Sequence, residues 1–395
     1  MRFAVTGVGV VSPIGVNEES FFAALESGQS GVTVDEEGVK AGFPLSARIG
    51  EFGARQHIAV GQLRRMPRLT QLTVVAAKQA LAEAKPPYDS TRTGVVLGTG
   101  LGTLDETMSF VSGYVADGPE AASPMTFPVS VMNAAAGQLA VECKLRGVNS
   151  TVNHRDHSPL SALAMGCDML ELGRADALLV GGVDELSTPV HHAYLRMGGM
   201  SRTAMRPYDL ERDGLVAGEA VGLLCLEREE DALKRGAHIR AVITGRGESG
   251  DERPRVGWGA RDNLAGFAHA GRAVAGAVAT RGADRVSYVA GSGNGTNLDD
   301  RELAALRDGL GGRLPLTSSI LAQTGESFSS GILRVLSAIY ALERQAVPGT
   351  LGLSRAASPD DTSLVRTWRA ASIEAVLVPS FAQGGANLAL LFERR

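Results

Sequence analysis

The sequence predicts a layered α/β fold built from two similar halves. Short apolar runs bounded by glycine or turn residues are typical of buried strands. Such runs lie at residues 95–98, 177–182, 221–226 and 375–378. Helical patterns, at residues 160–172 and 330–342, alternate with these runs along the chain. Strands that alternate with helices pack as α/β layers, which gives the predicted fold class.

An internal repeat indicates the two halves. Residues 3–9 (FAVTGVG) resemble residues 241–247 (AVITGRG), and residues 98–103 (GTGLGT) resemble residues 291–296 (GSGNGT). Both pairs occur in the same order, with more sequence between the two marks in the first half. Repeats of this kind indicate duplicated structural units, the first of which carries insertions. The predicted halves are residues 1–240 and residues 241–395.

Composition excludes several classes of function. The chain has 395 residues, 44% hydrophobic and 21% charged, as in ordinary soluble proteins. A net charge of -4 provides no basic field for nucleic acid. No apolar run reaches the ~18 residues that span a bilayer, and the first residues lack a signal-peptide layout. The three cysteines form no disulfide or metal pattern. We therefore expect a cytoplasmic protein with no cofactor, no metal, and neither nucleic acid nor membrane as a partner.

A segment near the middle of the chain carries a family resemblance. Residues 206–220 (RPYDLERDGLVAGEA) resemble the signature of β-ketoacyl synthases, which are condensing enzymes of the thiolase fold. Residues 6–15 (TGVGVVSPIG), 181–185 (GGVDE) and 380–387 (SFAQGGAN) agree with the same family. The last of these is less specific, because glycine-rich loops also bind phosphates in other folds. The resemblance implies a thiolase-like fold, with two α/β halves that form a five-layered α-β-α-β-α architecture.

The catalytic residues that this resemblance implies are not present in the sequence. Family members use a cysteine at the N-terminus of a buried helix, whose dipole lowers the cysteine pKa. Two histidines donate hydrogen bonds to the thioester carbonyl. Here Asp156 stands at the cysteine position, Ser292 and Glu326 at the histidine positions, and Leu321 at a usual lysine position. Loss of a covalent nucleophile costs about a millionfold in rate, so we expect no catalytic residues and neither condensation nor decarboxylation.

The residues around Asp156 allow other interpretations. Asp156 is suited to cap a helix or to pair with Arg155, and this competes with a chemical role. His154 and His157 flank Asp156 and suggest a metal site, but no third or fourth ligand is evident. A polar cluster that fills a vacated pocket is the favoured interpretation. The expected pocket neighbours are His154, Arg155, His157 and Phe381.

One subgroup of the family resembles this chain in having lost the cysteine. It is the chain-length factor, or ketosynthase β subunit, of type II polyketide synthases, although glutamine is usual there where Asp156 stands here. The resemblance implies a heterodimer with an active ketosynthase, an acyl carrier protein as a second partner, and a tunnel wall around the growing polyketide chain. It implies an interface along residues 141–152. The implied tunnel or gate residues are Leu104, Thr107, Met108, Val111 and Tyr114.

Two alternatives remain at this point. In one, Asp156 and a nearby histidine act as an acid/base pair that hydrolyses or transfers an acyl thioester. In the other, the chain binds an acyl carrier protein as a scaffold and has no synthase partner.

Overall fold

A computed structural model describes residues 1–40, 42–251, 269–357, 362–382 and 384–395. Within these ranges, no helix is both long enough and apolar enough to cross a bilayer. The strands are β1 (Phe3–Val11), β2 (Thr33–Val34), β3 (Leu45–Ala47), β4 (Thr93–Gly98), β5 (Asn149–Val152), β6 (Ala177–Asp184), β7 (Ala217–Gly218), β8 (Ala220–Arg228), β9 (Ala241–Gly250), β10 (Val286–Ala290), β11 (Leu316–Ser318), β12 (Ala346–Val347), β13 (Arg369–Ala370), β14 (Ala375–Phe381) and β15 (Ala386–Glu393).

Helices connect and cover these strands. They are α1 (Glu18–Ser27), α2 (Glu36–Lys40), α3 (Ala54–His57), α4 (Val60–Leu63), α5 (Arg68–Ala84), α6 (Leu104–Asp117), α7 (Ala134–Glu142), α8 (Ser158–Glu171), α9 (Thr188–Met197), α10 (Glu229–Lys234), α11 (Ala270–Val278), α12 (Leu298–Gly309), α13 (Leu321–Thr324) and α14 (Ser330–Arg344). Short 3₁₀ turns occupy Pro119–Ala121, Phe127–Val129, Arg155–His157 and Ala283–Arg285.

The main sheet displays the duplication that the sequence predicted. It has ten strands in the order β11-β10-β14-β15-β9-β1-β8-β6-β4-β5, and β1 pairs with β9 at its centre. Outward from the centre, the first half contributes β1, β8, β6, β4 and β5, which are its first, fifth, fourth, second and third strands of this sheet in chain order. The second half contributes β9, β15, β14, β10 and β11, which are likewise its first, fifth, fourth, second and third strands. The repeated segments coincide with β1 and β9 and with the ends of β4 and β10, so the internal repeat is confirmed.

Two buried helices form the central layer. Every residue of α14 from Ser330 to Leu342 is buried, which is typical of a helix enclosed on all sides. Helix α8 packs on β6 and β4, while α14 packs on β14 and β8. Helix α5 covers β1 and β8 from outside, and α11 covers β9 and β15. The predicted five-layered architecture is therefore confirmed.

Duplication also brings the site together. Asp156 lies in the turn before α8, and Glu326 lies shortly before α14, the equivalent helix of the second half. Ser292 follows β10, whose neighbour β14 is parallel to it and ends at Phe381. Because parallel strands end at the same edge of a sheet, the carboxyl ends of β10 and β14 meet the N-termini of both central helices.

Candidate functional site

A small polar cavity occupies this junction. Its volume is about 50 Å³, enough for a few water molecules but not for an acyl thioester. The structure brings five of the predicted site residues into it: Asp156, Ser292, Leu321, Glu326 and Phe381. The other lining residues are Asn294, Leu298, Asp299, Glu302, Ser327, Ser330, Gly331, Arg334 and Ser380. We call it the polar cavity.

Arg334 is the cation of the polar cavity, and the sequence analysis did not identify it. The residue is only 4% exposed, and its Nη1 donates to the carbonyl of Pro379 at 2.5 Å. Burial lowers the pKa of Arg334, and the nearby Glu302, Glu326 and Asp156 oppose that shift. One signal was available in the sequence, because Arg334 is the only charged residue within the apolar pattern at 330–342.

Glu326, which the resemblance places at the second histidine position, is buried. Burial raises the pKa of Glu326 to about 8, although Asn294 and Arg334 both favour the charged form. The Asn294 Nδ2 donates to Glu326 Oε2 at 3.1 Å. Burial in the cavity therefore favours the protonated, neutral form of Glu326, at the position where the resemblance implies an imidazole.

Ser292, which the resemblance places at the first histidine position, belongs to a hydrogen-bond network with Glu302 and Tyr208. Glu302 Oε1 accepts from the backbone N of Ser292 at 2.6 Å and from its Oγ at 2.7 Å. Glu302 Oε2 accepts from the Tyr208 hydroxyl at 2.8 Å, and that hydroxyl accepts from Gly293 N at 3.0 Å. The Ser292 hydroxyl thus donates its hydrogen bond to a carboxylate and is not available to a thioester oxygen.

The residues beside Asp156 in the chain do not line the cavity. Arg155 is exposed, with a φ of 55°, and His154 is also exposed, its Nδ1 lying 3.0 Å from Ser161 Oγ. His157 is buried, with its Nδ1 3.3 Å from Ser380 Oγ, and burial lowers the pKa of His157 to about 4. None of the predicted pocket neighbours His154, Arg155 and His157 lines the polar cavity itself, but His157 contacts Ser380, which does.

The structure bears on three interpretations of Asp156: a helix cap, a charge partner and a metal ligand. His157, not Asp156, directly precedes α8, and the His157 side chain makes no capping hydrogen bond. The buried cation within electrostatic reach of Asp156 is Arg334. Throughout the described part of the chain, no group of three or more His, Cys, Asp or Glu side chains is arranged to hold a metal ion.

The cysteines offer no replacement nucleophile. Cys167 lies on the buried face of α8, and burial raises the pKa of its thiol to about 12. Burial likewise raises the pKa of Cys225 to about 12 and that of Cys143 to about 11. Thiols this weakly acidic are poor nucleophiles at neutral pH.

The predicted gate residues lie on α6, outside the polar cavity. This helix buries no side chain, and Met108, Val111 and Tyr114 are 43%, 45% and 49% exposed. Helix α6 packs on the turns Pro119–Ala121 and Phe127–Val129, and α7 connects the second turn to the edge strand β5. We call the exposed apolar surface of these elements the α6 face: Met108, Val111, Tyr114, Val115, Met125, Phe127, Val131, Met132 and Val141.

Comparison with known proteins identifies the family. The family model described as "Beta-ketoacyl synthase, N-terminal domain" matches residues 1–232. The model described as "Beta-ketoacyl synthase, C-terminal domain" matches residues 240–354. This chain belongs to the β-ketoacyl synthase family. A relative from Vibrio harveyi, 3-oxoacyl-[acyl-carrier-protein] synthase 2, is 30% identical over 415 residues, covering 100% of this chain and 98% of the relative.

Solved structures of β-ketoacyl synthases share the whole fold. One, called the ishigamide ketosynthase/chain length factor, has a TM-score of 0.88 and 26% identity, with 100% of this chain and 99% of that chain covered. A β-ketoacyl synthase from Burkholderia phymatum has a TM-score of 0.89, 26% identity and the same coverage. The fold predicted from the resemblance is therefore confirmed as the ketosynthase fold.

In this β-ketoacyl synthase family protein, Glu326 should make stability depend on pH. A carboxyl whose pKa is higher in the folded state binds more protons folded than unfolded. The stabilising contribution of Glu326 is complete below about pH 4.5 and is lost as the pH rises through about 8. Replacing Glu326 by glutamine removes this loss. The free energy of unfolding of the variant, relative to that of the wild type, should therefore rise with pH across that range, by at most ~1.4 kcal/mol per pH unit. Urea unfolding at several pH values measures the difference.

The exposed Glu211 provides the control for this comparison, since its carboxylate pairs with Arg355 at the surface. The Glu211→Gln variant, measured at the same pH values, shows the effect of removing an exposed carboxylate. Parallel pH curves for wild type and Glu326→Gln would show that Glu326 is not protonated in the folded protein.

Proposed function

We propose that this chain is a non-catalytic ketosynthase-like subunit, a chain-length factor, which pairs with an active ketosynthase in type II polyketide biosynthesis. In this proposal it shapes the tunnel that holds the growing chain. One observation carries the proposal: the cavity at the family's catalytic position is lined by carboxyl groups around Arg334. No cysteine or histidine is among its described lining residues.

Electrostatics argue against acyl transfer in this cavity. Condensation passes through an oxyanion, which active sites stabilise with donors that point at the developing charge. Here the carboxylates of Asp156 and Glu302 would repel that charge, and the Ser292 hydroxyl already donates to Glu302. Such repulsion is strong in a buried site, because the effective dielectric constant is low.

The α6 face supports pairing with another subunit. Contiguous apolar patches of this kind mark interaction sites in soluble proteins. Strand β5 lies at the free edge of the sheet, where unpaired backbone groups favour pairing with a second chain. Both features lie in or beside the interface at residues 141–152 that the resemblance implies. The Vibrio harveyi relative is a 3-oxoacyl-[acyl-carrier-protein] synthase by name, which supports a carrier protein as the second partner.

Co-purification tests the proposal. A tagged form of this chain, co-expressed with an active, cysteine-bearing ketosynthase of type II polyketide biosynthesis, should elute with it as a stable 1:1 complex. The reason is that burial of the α6 face removes apolar surface from water. Size-exclusion chromatography with light scattering measures the stoichiometry.

Substitutions test the assigned face. The charge variant Val141→Asp should weaken the complex. Leu172→Asp is the matched control, because Leu172 is an exposed apolar residue at the end of α8. A complex insensitive to both changes would contradict the assigned face.

A further inference from the structure

An aromatic pair lies between the polar cavity and the base of helix α6. The rings of Phe328 and Tyr194 stack with centroids 5.5 Å apart and planes 24° from parallel. The Phe328 ring also lies directly on Gly100, where an added Cβ would approach Phe328 Cβ to 2.4 Å. A glycine is therefore required at position 100 for this ring to lie where it does.

Asp184 fixes the position of the ring. Its buried carboxyl accepts from Ser329 Oγ at 2.6 Å, from Thr99 Oγ1 at 2.8 Å and from Gly100 N at 3.0 Å. These bonds tie the turn that carries Phe328 to the loop that leads into α6. Since bonds to a charged group are stronger than neutral ones, the ring is held against Gly100 from both sides.

The two sides of the ring differ in polarity. Ser327, the preceding residue, lines the polar cavity. On the other side, Leu101 and Leu104 at the base of α6 pack, as Phe328 does, on the apolar cluster that contains Tyr194. Tyr194 belongs to α9, which packs against α6. Phe328 is partly exposed, although both its neighbours in the chain are buried.

We infer that Phe328 is the end wall of the acyl path on this subunit. This inference rests on the proposed function and deepens it, since it places the stop for a growing β-ketoacyl chain at one ring. A chain that enters along the α6 face meets Phe328 before it reaches the polar cavity. Close-packed aromatic rings resist displacement, so the chain stops there. The gate residues on α6 then line the approach, and Phe328 closes it.

Product length in the reconstituted pair tests the end wall. Phe328→Ala opens the wall, so mass spectrometry should show a product longer by at least one two-carbon unit. Phe328→Trp fills the path and should shorten the product. Phe328→Leu, a smaller change, should lengthen the product less and serves if the alanine variant folds poorly. Phe52→Ala, a partly buried phenylalanine packed on a different apolar cluster, should leave the length unchanged.

A second arm separates this inference from the proposed function. Val111→Trp on α6 should shorten the product, because the added bulk narrows the approach. If the pair forms and Val111→Trp shortens the product but every Phe328 variant leaves it unchanged, the end wall is elsewhere and the chain-length role stands. If the active ketosynthase forms no pair with this chain, or if product length ignores all these variants, both the end wall and the chain-length role are overturned.

Discussion

Replacing Arg334 by methionine should lower the free energy of unfolding by about 3–5 kcal/mol, the usual cost of leaving a buried charge uncompensated. The guanidinium is the cation buried among Asp156, Glu302 and Glu326. Methionine fills much of the same volume but leaves carboxylates in a low dielectric without a counter-charge. It also leaves the carbonyl of Pro379 without the donor at 2.5 Å. Urea denaturation of wild type and variant measures the loss.

A surface arginine provides the matched control. Arg246 bonds Asp168 at 2.8 Å, but both side chains are partly exposed, so Arg246→Met should cost only about 0–1 kcal/mol. Adding Glu302→Gln to Arg334→Met should recover part of the loss, because one uncompensated charge is removed. Equal losses for the two arginine variants would mean that the Arg334 effect is not electrostatic.

The fold was predictable because the features that define it are local and repeated. The apolar run at residues 177–182 has the length and composition of a buried strand, and β6 spans Ala177–Asp184. Two short repeats then gave the order of the halves, since duplicated sequence folds into duplicated topology. Of the five predicted residues that line the cavity, four stand where the resemblance implies a cysteine, two histidines and a lysine, and Phe381 lies in the family-like segment 380–387. The resemblance alone was therefore sufficient to bring them together.

The rest of the site depends on side-chain directions that no pattern specifies. Arg334 was missed because a helical stripe indicates burial but does not say which buried position faces a cavity. Arg155 and His154 were expected near the pocket from their proximity to Asp156 in sequence. A left-handed φ at Arg155 turns the chain there, and both side chains are exposed. The bond between Ser292 and Glu302 joins residues ten apart in different elements, which sequence reasoning had no means to pair.

The isolated chain should transfer or hydrolyse acyl thioesters about a millionfold more slowly than an active ketosynthase, the typical cost of losing a covalent nucleophile. A labelled acyl-carrier thioester should leave no label on the protein, which intact-mass spectrometry detects directly. Within the reconstituted pair, Asp156→Asn should change the rate by no more than about twofold, or ~0.4 kcal/mol of barrier. The reason is that Asp156 lies in the polar cavity near the buried Arg334, and under the proposed function the partner's cysteine performs the reaction.

The alternative acid/base enzyme predicts the opposite pattern. It requires Asp156 and a histidine to share a substrate, yet the His154 side chain is exposed and His157 is buried against Ser380. If Asp156 were a base or nucleophile, turnover by the single chain would be measurable and Asp156→Asn would abolish it. Asp156→Cys extends the contrast, since a thiol at that position still lacks the two imidazole donors. That variant should accept acyl label slowly, if at all, and should form no carbon–carbon bond, because Ser292 and Glu326 cannot stabilise the enolate that condensation requires.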